Sequence, residues 1–209
     1  MSRSMTEESF NFAALQLTAV LGIIYAVQVF TGFDPAFNAS QSPWWKFFTS
    51  IIGHSGMEHL FNNAFFIALF GSIYERFTSG KIFLATFFAA AFIANISAFI
   101  FFPASAIIGA SGGAMGVLSA LAVYRPNRIG LALGVPAPMW AVLLSYIFIN
   151  FAGIPAATGV AYEAHLLGMQ AGVPIGFHMR DRPYLKEDEV REEDEWHRKI
   201  REWEEKWML

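Results

Sequence analysis

Apolar runs with almost no charge recur along this chain, and they constrain its fold more than any other feature. Six can be marked, at about residues 10–32, 57–76, 82–102, 111–124, 137–153 and 161–179. A helix rises ~1.5 Å per residue and a hydrocarbon core is ~30 Å thick, so ~20 apolar residues suffice to cross it. Several of the runs approach that length. A soluble core does not need so many, and a chain that is 55% hydrophobic, with its charges crowded into one tail, fits the bilayer better. The expected fold is therefore all-α: a polytopic membrane bundle of six transmembrane helices. Residues 10–179 form that domain, between a short cytoplasmic N-terminus (1–9) and a charged cytoplasmic tail (180–209). The first run is longer than a signal-peptide core and lacks a small-x-small cleavage site, so it is read as a retained span.

Basic residues set the orientation. With a cytoplasmic N-terminus, six spans put Arg3, Arg76, Lys81, Arg125, Arg128 and the whole tail on the cytoplasmic side and leave Lys46 outside. The segment between the first two runs, "DPAFNASQSPWWKFFTSIIGHSG", mixes Pro, Asn, Ser and paired Trp, which suits an interfacial loop. "IGLALGVPAP" reads as a short extended piece before a helix that starts near Pro136 and Pro138. In the tail, Trp196, Ile200, Trp203 and Trp207 recur at helical spacing among charged residues, the pattern of an amphipathic helix that lies on a surface or packs on the end of the bundle. The chain has no cysteine, which excludes disulfides, thiol catalysis and thiolate metal sites.

Four polar side chains share a depth. Counting from the basic residues at the cytoplasmic boundary, Ser111 lies ~21 Å from Arg125, His165 ~22 Å from Arg180, and Asn63 and His59 ~20 and ~26 Å from Arg76, at ~1.5 Å per residue. Polar groups are costly in hydrocarbon, and a group of them within about one helical turn of one level points to a functional site. Small residues offer the means of assembly. Gly168, Gly172 and Gly176 repeat every four positions on the last run, as do Gly112, Gly116 and Ala120 on the fourth, and such faces let helix backbones approach closely. Helices touching there bring Ser111 and His165 within reach of each other. Pro174 is expected to kink the last run.

These residues resemble the rhomboid intramembrane serine proteases. The resemblance rests on "GASG" with Ser111 opening a span, on "EHLFNNAFFIALFGSIYER" with His59, Asn63, Gly71 and Glu75, and on "AHLLGMQAG" with His165, Gly168 and Gly172. It runs from about Trp44 to Met179. What it implies is a Ser–His dyad without a carboxylate partner: Ser111 as nucleophile, His165 as general base, and an oxyanion hole made by His59, Asn63 and the backbone N–H of Ser111. His54 and Glu75 correspond to structural positions. Trp45-Lys46 stands where the family has Trp-Arg, and Met115 where an aromatic residue often lies beneath the imidazole. The implied activity is endopeptidase cleavage of single-pass transmembrane proteins near the outer face of the cell membrane, with the fifth span and the loop "NFAGIPAATGVAY" as gate and lid.

No cofactor, metal or nucleic-acid partner is expected; the lipid bilayer is. The competing function is a non-proteolytic rhomboid-like protein that binds membrane clients, although such relatives usually lack the Ser or His. A metalloprotease built on His54, Glu58 and His59 is disfavoured, since their order is not HExxH. A transporter is disfavoured by the absence of an inverted repeat. Glu163 is two residues from His165, so its side chain points elsewhere and is read as facing solvent; His178 and His197 are read as solvated.

Overall fold

The computed structural model describes residues 12–101, 106–155, 161–180 and 183–207. The expected N-terminal segment, the start of the first apolar run and residues 156–160 of the lid loop lie outside the described residues. What is described is mainly helix. α1 (Ala13–Thr31) is followed by a long non-helical segment carrying only the single turn α2 (Lys46–Thr49). The second apolar run is one continuous rod, in which α3 (Met57–Phe66) passes through a π-helical stretch (Ile67–Gly71) into α4 (Ser72–Phe77). α5 (Gly80–Phe101), α6 (Ser111–Tyr124), α7 (Met139–Gly153) and α8 (Tyr162–Arg180) follow, and α9 (Pro183–Trp207) occupies the tail. α1 and α5 are long and apolar enough to cross a membrane, and α6 and α7 are shorter apolar helices.

The expected extended piece before α7 is a β-hairpin, β1 (Ile129–Ala132) against β2 (Val135–Pro138), paired from Ile129 with Pro138 to Ala132 with Val135. Its two turn residues, Leu133 and Gly134, both have positive φ, 52° and 85°. Only such a turn matches the twist of two closely joined strands. The two prolines sit in β2, at the edge of a two-stranded sheet, where a missing N–H costs little. α7 accordingly starts at Met139, after both prolines. α8 runs on through Pro174 as a single helix.

The core is organised around α6, whose residues from Gly112 to Ala122 are all buried. On one side lies α5: a methyl group added at Gly112 would meet Ala94 Cβ at 2.6 Å, and one at Gly113 would meet the Phe87 ring at 2.7 Å. On the other lies α8, in the register that the glycine spacing predicts. A methyl group at Gly168 would strike Gly112 O, one at Gly172 would strike Gly116 O and Ser119 Oγ, and one at Gly176 would meet Ala120 O at 2.6 Å. Three successive turns of α8 therefore rest on three successive turns of α6. The Ser119 hydroxyl, 2.6 Å from Met169 O, pins the two helices axially.

At the opposite face of the bundle, Glu75 holds α1 to α4. Its carboxylate accepts from the backbone N–H of Ala13 (2.9 Å) and Ala14 (3.0 Å), the first two residues of α1. A helix N-terminus carries unsatisfied donors and a partial positive charge, so a buried carboxylate there is both paired and stabilised. Gly71 lets α1 and α5 close over this corner, with Ala14 Cβ and the Phe83 ring where its side chain would be. Nearby Tyr124 donates to Phe77 O at 3.1 Å, and the buried Arg125 guanidinium lies 5.2 Å and 4.6 Å from the centres of the Phe77 and Tyr124 rings. The tail helix α9 does not cover its tryptophans with the bundle: Trp196, Trp203 and Trp207 are exposed.

Two predictions follow from these contacts. Glu75→Ala strips both donors at the start of α1 of their charged partner and should lower stability in detergent by about 2–3 kcal/mol, with Glu75→Gln milder because one acceptor oxygen remains. Gly172→Ala should cost at least about 1–3 kcal/mol, because the added carbon meets backbone rather than a movable side-chain tip; thermal unfolding of the purified variants measures both.

Candidate active site

Ser111 is the first residue of α6 and is half-buried. The chain reaches it through a segment tied down at two points. Ile107 forms an antiparallel bridge with Phe37, with N–H···O distances of 3.0 and 2.8 Å, and the Gly109 N–H donates to Ser50 O at 2.8 Å. Ser50 is fixed in turn, because the Asn95 side chain on α5 donates to Phe47 O (2.9 Å) and to Ser50 Oγ (3.0 Å). Gly109 has φ +127°, a conformation that needs glycine.

His59 and Asn63 meet at that same glycine. A Cβ on Gly109 would lie 2.6 Å from His59 Cε1, 2.7 Å from its Nε2 and 3.7 Å from Asn63 Nδ2. Both side chains come from α3, where i and i+4 share a face. Each has one nitrogen already engaged. His59 Nδ1 is 3.0 Å from Ser55 Oγ, and Asn63 Nδ2 donates to His59 O at 3.0 Å. When the Ser55 hydroxyl donates to Nδ1, Nε2 carries the imidazole proton; Asn63 keeps a second N–H. Two donors are thereby gathered two residues before Ser111.

His165 arrives from α8. Its neighbour Ala164 turns its carbonyl toward Gly112, 4.0 Å from where a Gly112 Cβ would be, so the residues following Ser111 and preceding His165 are in backbone contact. Among the described residues no hydrogen bond joins the Ser111 hydroxyl to the imidazole; the partner of His165 is Asn150 on α7, with Nδ1 and Oδ1 2.8 Å apart. Asn150 is buried, and its Nδ2 donates to Tyr146 O at 2.7 Å. The Tyr162 ring stands edge-on to the imidazole at 6.3 Å.

A rhomboid-domain family model matches residues 41–182, which include all of these side chains. The chain belongs to the rhomboid family. It is 27% identical over 179 residues to YdcA of Bacillus subtilis (strain 168), whose name assigns it provisionally to the rhomboid proteases; the match covers 78% of this chain and 84% of that one. It is 35% identical to the rhomboid protease GluP of the same organism, over 64% of this chain but 25% of that one. A 24% identity to mouse Rhomboid-related protein 2 spans 68% of this chain and 51% of the relative.

Within this rhomboid the remaining sequence expectations sort by contact. His54 is held by its backbone, which exchanges two hydrogen bonds with the Gln28 side chain of α1 (3.0 and 3.1 Å). The residue is 2% exposed, its ring packs edge-on against His59 at 5.2 Å, and among the described residues neither ring nitrogen has a hydrogen-bond partner. Lys46 lies 3.4 Å from Asp34 in a single ion pair rather than the fork an arginine would offer. Met115 is buried one turn into α6. Glu163, read as facing solvent, is half-buried; His178 and His197 are exposed. Among the described residues no three His, Asp or Glu side chains group as metal ligands.

Sequence reasoning missed Asn150, Gln28 and Asn95. Each is an amide inside an apolar run, and an intramembrane amide needs a partner. That signal was present, but it does not name the partner.

Burial, with help from the neighbouring His59, pushes His54 down from its usual value to about 4. The native state thus keeps His54 neutral while the unfolded chain protonates it. His54 stabilises the fold fully above its ordinary value near 6.5, and this contribution is lost as pH falls toward about 4. Melting temperatures in detergent should fall between pH 6.5 and 4 more steeply for the native chain than for His54→Phe.

Proposed function

We propose that this rhomboid is an intramembrane serine endopeptidase acting on single-pass transmembrane proteins near the outer face of the cell membrane. In this reading α1, the α3–α4 rod, α5, α6, α7 and α8 are its six spans. Both termini are cytoplasmic, with α9 as an amphipathic helix on that side. The protease names of its relatives and the basic residues at one end of the runs support this.

His165 Nε2 takes the Ser111 proton and the alkoxide attacks a peptide carbonyl. The developing oxyanion meets donors already aimed at it: His59 Nε2–H, the second Asn63 N–H and the backbone N–H of Ser111. The imidazolium returns its proton to the leaving amine, and water, activated by the same base, releases the acyl group. The observation that carries the reading is the convergence of His59 and Asn63 on Gly109, beside a serine whose helix lies backbone to backbone with that of His165.

The test is cleavage of a single-pass substrate in liposomes. Ser111→Ala should abolish cleavage and labelling by a fluorophosphonate probe. Asn63→Ala should lower kcat about 10²–10³-fold without unfolding the bundle. Full activity in Ser111→Ala would sink the assignment, whereas absent labelling of the native serine would favour a client-binding protein.

A further inference from the structure

The Asn150 amide has a fixed orientation. Its nitrogen donates to Tyr146 O, one turn back on α7, and a carbonyl can only accept. Oδ1 must therefore face α8, where it lies 2.8 Å from His165 Nδ1. An acceptor opposite Nδ1 requires the proton to be there. A neutral imidazole carries one proton, so Nε2 is left with its lone pair.

We propose that Asn150 is the positioning residue of the base, holding His165 in the Nδ1–H tautomer with its ring rotation set so that Nε2 is the atom that accepts the Ser111 proton. This rests on the reading of Ser111 and His165 as nucleophile and base, and it adds a third member to the pair. Among the described residues the other ring contact of His165 is the Tyr162 ring edge, which does not discriminate between tautomers. An amide suits the place better than a carboxylate. It stays neutral throughout the cycle, so α7 buries no charge, and its oxygen still stabilises the Nδ1–H of the imidazolium. The fit is close, with Asn150 2% exposed.

The experiment uses the full chain in liposomes. Kinetics are measured on a single-pass substrate, and solid-state ¹⁵N spectra of labelled histidine are taken near pH 8, with His165→Ala identifying the His165 signals. The native spectrum should show His165 as the Nδ1–H tautomer. Asn150→Leu should lower kcat about 10- to 100-fold with KM within about twofold, and its spectrum should show mixed tautomers. Asn150→Asp keeps an acceptor toward Nδ1 while losing the donor to Tyr146, and should recover most of the loss. A native Nε2–H tautomer overturns the inference even if Asn150→Leu does not fold. So does an Asn150→Leu variant with native kcat, or equal losses in Leu and Asp with the tautomer unchanged, the pattern of simple helix packing. Ser111→Ala keeps the two readings apart: activity there defeats the protease assignment, whereas an inactive Ser111→Ala beside a fully active Asn150→Leu defeats only the role of Asn150.

Discussion

Much in this molecule depends on the close approach of the α6 and α8 backbones at the glycines of α8. In a bilayer, lipid tails compete with helix faces for apolar contact on nearly equal terms, so burial of hydrocarbon does little to hold two spans together. Close backbone approach does more, since it gathers many short-range contacts that lipid cannot supply. It also removes freedom. Two helices separated by leucines can slide or rotate by small rotamer changes, but the glycines of α8 resting on the α6 backbone at Gly112, Gly116 and Ala120 have one register. That register sets the height of His165 relative to Ser111.

The other half of the site is built by irregular backbone, and the same hydrogen bonds that make it tolerable also shape it. Peptide groups away from regular structure need partners if they sit below the membrane surface. Here Phe37 pairs with Ile107, Ser50 O takes the Gly109 N–H, and Asn95 serves Phe47 O. Gln28 brackets His54 in the same way. The side-effect of this pairing is a glycine held at positive φ against His59 and Asn63, directly ahead of Ser111. Pre-organisation of the donors is thus a by-product of satisfying the loop.

The parts legible in the sequence were those in which one residue type carries its own geometry. Glycine at four-residue spacing specifies a close helix face, and the pairs Gly168–Gly112 and Gly172–Gly116 are the ones that form. His59 and Asn63 share a face by their spacing alone. The limits of α6 were readable because Ser111 opens the apolar run and Arg125 closes it. What could not be read were pairings between distant residues. Asn150 and His165 are separated by the end of α7 and a loop, and nothing in an amide predicts whether it will meet an imidazole, a carbonyl or another helix. The hairpin turn was hidden for a different reason: Leu133 adopts a conformation usually left to Asn or Gly, so its side chain advertises no turn.

The position of Asn150 also bears on how α7 is held. Of the fifteen residues of α7 only Met139, Val142 and Asn150 are buried, and Leu144, Phe148 and Phe151 are exposed. Its first turn is fixed by apolar contact; its C-terminal half packs Tyr146 edge-on against Phe66 and brings Gly153 against the Tyr162 ring, and Asn150 adds the buried hydrogen bond to His165. Shifting this end of α7 would leave an imidazole N–H and an amide oxygen unpaired in apolar surroundings, a cost of about 1–3 kcal/mol for each. On the proposal that His165 is the base, the seated position of α7 and the Nδ1–H form of the imidazole are coupled through this bond.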